Sequence, residues 1–143
     1  MAVMTREVPK KNLTISNEHE LEMLDNALPI IKKLLVVLLD NDVSSIMGFF
    51  RHDVYRYFFL LTFMVEYFEG SEISQEHAIS LVPQKYASRI KRLQVLKQAV
   101  ELGYIIEESS TVDKRRRIYS PSAELVLEFL DGANNINDIF NKS

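Results

Sequence analysis

Leu21, Leu24, Leu28, Ile31, Leu35 and Leu38 recur at spacings of three and four, the period of an amphipathic helix. Asn17 stands before the run and Glu20 three residues on, an N-cap with an acid placed to reach back to it. The pattern predicts a long helix, and Pro29 predicts a kink or split within it. Upstream, Arg6, Glu7, Lys10 and Lys11 surround Pro9 without apolar period, so residues 1–16 are expected to form a flexible arm. Asn41 to Met47 reads as a break or short turn. A second stripe, Val54, Tyr57, Phe58, Leu61, Val65 and Phe68, is widened by Phe59, Leu60 and Phe63. A helix apolar on most sides belongs at the centre of a core. Asp53 is placed to cap it and Glu69-Gly70 to end it.

Further on the elements shorten. Ser74 caps a helix expected over Gln75 to Val82, which Pro83 stops. Gln84-Lys85 makes a turn, and a fourth helix runs to Leu102, ended by Gly103 where a left-handed backbone is wanted. Tyr104-Ile-Ile-Glu-Glu and Arg117-Ile-Tyr-Ser are strand candidates joined by a basic loop, Ser109 to Arg116. Ser120-Pro121 supplies a cap and first-turn proline for a last helix, with Leu125, Val126, Phe129 and Leu130 facing inward. Asp131 to Ser143 reads as a frayed tail or short helix. Helix, turn, helix, strand, basic loop, strand, helix is the order of a winged helix-turn-helix. The fold class expected is therefore mainly α (α+β). It comprises one domain over residues 17–143 with its winged core at about 54–130, flanked by N- and C-terminal helices suited to dimerisation.

Charge changes the picture. The net charge of the 143 residues is -3, which argues against a nucleic-acid partner. The distribution reverses this. From Lys85 to Arg117 there are nine cations (Lys85, Arg89, Lys91, Arg92, Lys97, Lys114, Arg115, Arg116, Arg117) against four acids (Glu101, Glu107, Glu108, Asp113). Phosphate attraction acts over roughly 8–10 Å at physiological salt, so a local excess counts for more than the total.

The span from about Tyr55 to Leu130 resembles the MarR-type winged-helix family. The likeness is carried by the leucine- and valine-rich helix ending in Glu101-Leu-Gly103-Tyr-Ile-Ile, by Asp113-Lys-Arg115 at the wing tip, and by Tyr119-Ser-Pro-Ser-Ala. The stretch Pro83-Gln-Lys-Tyr-Ala-Ser-Arg departs from the family's usual small-residue start to that helix. The resemblance implies a homodimer joined by terminal helices, with a helix in the major groove and the wing arginine near the minor groove. It implicates Ser88, Arg89, Lys91, Arg92 and Gln94 on the helix and Arg115 on the wing, with Asp113 as wing support; the charge cluster adds Lys85, Lys114, Arg116 and Arg117 as expected DNA contacts. Ser88, Arg89 and Gln94 are the expected base readers. The expected function is a transcriptional regulator, a repressor, on a pseudo-palindromic duplex site.

Plainer readings stand beside these. Lys91 and Lys97 taken singly could be solvated charges; Arg116 or Arg117 could pair with Glu107 and Glu108 across the hairpin; Asp113 could cap the turn and orient Arg115. The alternative function is a winged-helix module that binds protein rather than DNA. Catalysis is not expected: His19, His52 and His77 are scattered, no glycine loop could cradle phosphate, and no serine sits in a nucleophile elbow. No metal or cofactor is expected. The aromatic group Phe49, Phe50, Tyr55, Tyr57, Phe58, Phe59, Phe63, Tyr67 and Phe68 reads as core and subunit interface. A pocket for a small apolar effector is the alternative the resemblance raises. The chain has no cysteine, no signal sequence is visible, and no apolar run reaches the ~18–20 residues of a membrane span, so no membrane partner is expected and the cytoplasm is the default.

Overall fold

The structure is a computed structural model that describes residues 6–8, 13–15, 17–39 and 44–141. It divides into two compact units, one of residues 1–41 with 134–143 and one of residues 42–133.

In the first unit, β1 (Arg6–Val8) and β2 (Leu13–Ile15) pair antiparallel, with Glu7 opposite Thr14. They occupy the stretch read as a flexible arm, the remainder of which lies outside the described residues. α1 (Glu18–Leu38) begins as expected, with Asn17 Oδ1 accepting the Glu20 N–H at 2.8 Å. Pro29 does not split it. The missing N–H removes one helical hydrogen bond, and good helix formers on both sides carry the helix through. The Lys33 ammonium donates to the Phe140 carbonyl in the chain's final helix at 2.8 Å. No α1 side chain is buried, and its stripe leaves Ile31, Leu35 and Leu38 exposed.

The second unit opens with α2 (Ser45–Arg51), where a break was expected. Ser44 Oγ accepts the Met47 N–H at 3.2 Å, and Ile46 and Phe50, four apart, bury on one face. A helix of two turns is too short for its period to stand out. α3 (Val54–Phe68) is the central helix and buries Phe59, Leu60, Phe63 and Met64. Asp53 occupies its N-cap position but makes no side-chain cap bond. Its carboxylate instead lies 3.3 Å from Arg56 Nε and 3.2 Å from His52 Nδ1. Gly70, at φ 88°, ends the helix in the left-handed region.

β3 (Ile73–Ser74) follows, a strand too short to read from pattern. α4 (Gln75–Ser80) is capped by Ser74 Oγ, which accepts the His77 N–H at 3.2 Å. α5 (Arg89–Glu101) starts later than expected, after a turn that takes in residues 83–87. Gly103, at φ 82°, ends it. β4 (Ile105–Ser109) and β5 (Arg117–Pro121) form the hairpin, with Glu107 opposite Tyr119 and Ser109 opposite Arg117. β3 adds to the other edge of β5, giving the order β3-β5-β4. The last helix, α6 (Ala123–Asn141), is one run rather than a helix and a frayed tail. Its cap is Ser122, whose Oγ accepts the Leu125 N–H at 3.1 Å, while Pro121 closes β5 opposite Ile105.

Phe50, Phe59 and Phe63 of the aromatic group form the centre of this unit, whereas Tyr67 and Phe68 are exposed. Phe50 stacks on Phe59 at 6.4 Å between ring centroids, Phe59 on Phe63 at 5.4 Å, and Phe49 meets Phe50 edge-on at 4.9 Å. Leu96 of α5, Ile105 of β4, Tyr119 of β5 and Leu125 of α6 close around them. α5 and the hairpin beside it are thus mounted on one packed core.

Candidate nucleic-acid interface

α5 presents two faces. Arg92, Val95, Leu96 and Ala99 are buried, and Ile90, Gln94, Lys97 and Glu101 form the opposite ridge at helical spacing, flanked by Lys91 and Gln98. Ser88 holds the N-cap position, its Oγ accepting the Lys91 N–H at 3.2 Å. That hydroxyl oxygen serves the helix end first.

Arg92 is a correction to the sequence reading. It is 8% exposed, and its guanidinium donates to the carbonyls of Ile79 at 2.9 Å, Val82 at 3.2 Å and Ser88 at 3.4 Å. The Ile79 and Val82 carbonyls belong to the end of α4 and the turn that follows, which Arg92 ties to α5, and Ser88 is the N-cap residue of α5 itself. A buried cation so engaged holds the two helices together and is withdrawn from the surface.

Arg89 is paired as well. Its two terminal nitrogens meet the two carboxylate oxygens of Glu76, on α4, at 2.9 and 2.7 Å. This bond holds the Glu76 carboxyl below its ordinary value and Arg89 above its own. Both side chains are exposed, so the pair is a weak restraint. Lys91 and Gln94 lie on the surface, and Lys85 sits over the Tyr86 ring at 5.1 Å.

The wing turns tightly. Asp113 Oδ1 accepts the Arg115 N–H at 3.0 Å, the Asp113 carbonyl accepts the Arg116 N–H at 2.9 Å, and the Arg116 carbonyl accepts the Ser110 N–H at 2.8 Å. Ser110, buried, accepts from the Val112 N–H and donates to Glu72 at 3.1 Å. These bonds project the Arg115 side chain, 97% exposed and 3.9 Å from Asp113, with Lys114 beside it on the surface. Arg116 reaches back to Glu72 at 3.8 Å.

One constellation escaped the sequence reading. Glu107 of β4 accepts from the buried Tyr119 hydroxyl at 2.7 Å and lies 3.7 Å from Lys97 of α5 and 3.9 Å from Arg117 of β5. The Tyr119 bond is the main reason its carboxyl is held below the ordinary range. Partial burial opposes this, and the Lys97 and Arg117 charges add to it. Tyr119 is pushed above its ordinary range, by burial first and then by Glu107. The group joins α5 to both wing strands. Arg117 with Glu107 was visible as a cross-strand possibility; the contributions of Lys97 and Tyr119 depend on how α5 packs and on the hairpin register.

Helix, turn, capped second helix and three-stranded wing lie in one frame, on one core. The unit is a winged helix-turn-helix.

No family model and no curated protein matches the chain. Among solved structures, it is similar to the heme sensor protein PefR from Streptococcus agalactiae in complex with heme. The identity there is 16%, over 87% of this chain and 80% of that one, with a TM-score of 0.45. It is also similar to the adhesin competence repressor AdcR from Streptococcus pyogenes, at 11% identity over 87% of this chain and 78% of that one, with a TM-score of 0.41. A third is apo, heme-free PefR, at 14% identity over 84% of this chain and 95% of that one, TM-score 0.41. The winged-helix assignment stands on the chain's own element order and strand register.

Proposed function

We propose that the chain is a DNA-binding transcriptional regulator, a repressor that acts as a homodimer on a pseudo-palindromic duplex site. The observation that carries this is the outward ridge of α5, with Lys91 and Gln94, beside a wing whose tight turn projects Lys114 and Arg115 into solvent. In this reading α5 enters the major groove. Lys85, Lys91, Lys114, Arg115, Arg116 and Arg117 meet phosphate or the minor groove, while Gln94, the Ser88 hydroxyl proton and Arg89, once exchanged from Glu76, reach base edges. Arg92 has no part in it. The exposed apolar stripe of α1 supports dimerisation, since a lone chain leaves Ile31, Leu35 and Leu38 in water. A repressor of this kind works by occupying its site.

A second reading has one observation in its favour. Glu72, Glu76, Glu107 and Asp113 each lie within 4 Å of a candidate DNA-binding cation or of Lys97, which lowers the potential of the face. That pattern suits a winged-helix module binding a protein partner. A gel shift with duplex fragments at two salt concentrations separates the two. The DNA reading expects affinity that falls steeply with salt and is largely lost in Arg115→Ala/Arg116→Ala. Absence of any shift at low salt favours the protein-binding module.

A further inference from the structure

Ile90 is the one apolar side chain among the exposed residues of α5, at 69% exposure, and it has no place in the core of the described residues. Its neighbours on the surface of that helix are Arg89, Lys91, Gln94, Lys97, Gln98 and Glu101, all polar or charged. Three of the polar groups near the helix start are already engaged: Ser88 caps, Arg92 is buried, and Arg89 is held by Glu76. At the far end Glu101 would repel phosphate, which confines close approach to the first two turns. Besides Ser88, Arg89 and Lys91, what those turns offer outward is Ile90 and, one turn on, Gln94.

These two side chains differ in what they recognise. Gln94 carries the paired donor and acceptor that match adenine N6 and N7, while an aliphatic group in the major groove has one distinctive apolar partner, the thymine C5-methyl. Residues four apart are separated by about 6 Å along a helix. We infer that Ile90 is a specificity-determining residue that packs on the C5-methyl of a thymine in each half-site, next to the base pair read by Gln94. The flanking Lys91 and the projecting wing supply the charge that would bring this apolar spot against an anionic partner. This rests on the proposal that α5 enters the major groove, and it adds what kind of base that groove must hold.

The test uses the full chain and the duplex it enriches from a random pool. Each thymine of a half-site is replaced in turn by deoxyuridine, which keeps every hydrogen bond and loses only the methyl. The wild-type chain is expected to lose about fourfold in affinity at one or two positions, the worth of one buried methyl group. Ile90→Ala should be indifferent to uracil at those positions and bind the thymine duplex about fourfold less tightly than the wild type does. No uracil effect at any thymine, or an undiminished one in Ile90→Ala, overturns the role of Ile90 while leaving DNA binding intact. Failure to enrich any duplex overturns the DNA reading and this inference together. Ile90 is exposed, so Ile90→Ala is expected to fold like the wild type, which its urea midpoint checks.

Discussion

Arg92 shows how little a residue's type says about its use. In sequence it is one of a cluster of cations; in the fold it is a buried clasp on three carbonyls. Arg92→Met keeps the length and removes the donors to the Ile79 and Val82 carbonyls, while the Ser88 carbonyl still accepts the residue-92 N–H. It should lower unfolding stability by about 2 kcal/mol in urea melts, and any duplex affinity that remains should keep its salt slope. Glu107 makes a pH prediction. Its carboxyl is held below the ordinary value, so its contribution is complete above that value and is lost as pH falls through the folded one. Between pH of about 5 and 3 the wild type should therefore lose more stability than Glu107→Gln does, as followed by acid titration of denaturant midpoints. Tyr119, raised, works with the opposite sign. Its contribution is present below the ordinary tyrosine range and is lost as pH rises above it, a loss that Tyr119→Phe should not show. Of this only the Glu107–Arg117 pairing is legible from residue order, because Arg92, Lys97 and Tyr119 meet their partners through helix packing and strand register.

Elements were more readable. Hydrophobic period located α1 and α3, while the turn at Gln84-Lys85 and the glycine at 103, with the left-handed backbone it has, bracketed α5. Nothing lies within 4 Å of where a Cβ would stand at Gly103. Gly103→Ala should therefore cost only the backbone strain of a positive φ, about 1–2 kcal/mol in thermal or urea unfolding. What period could not resolve were elements of two turns or fewer. α2 went unread, β3 has two residues, and α4 is shorter than Pro83 suggested. Caps were misassigned where two candidates adjoin. Ser122 rather than Ser120 starts α6, because Pro121 is held in β5 opposite Ile105.

At the scale of the molecule, folding redistributes charge around the cationic window. The cations between Lys85 and Arg117 were visible, but the fold brings Glu72 and Glu76, from outside that window, against Arg116 and Arg89. A linear tally cannot count acids supplied by another element. The surface is therefore less positive than the sequence implied, and the DNA reading leans on Lys85, Lys91, Lys114 and the projecting Arg115. The unburied stripe of α1 leads to a further expectation: Leu35→Glu/Leu38→Glu should shift the chain from dimer to monomer in sedimentation velocity at micromolar concentration, and weaken any duplex binding with it. The most direct measurement is selection of bound sequences from a random duplex pool by the full chain. The account predicts enrichment of a two-fold symmetric motif with half-site centres about one helical turn apart, roughly 10 base pairs. A pool that stays random after repeated rounds at low salt would contradict it.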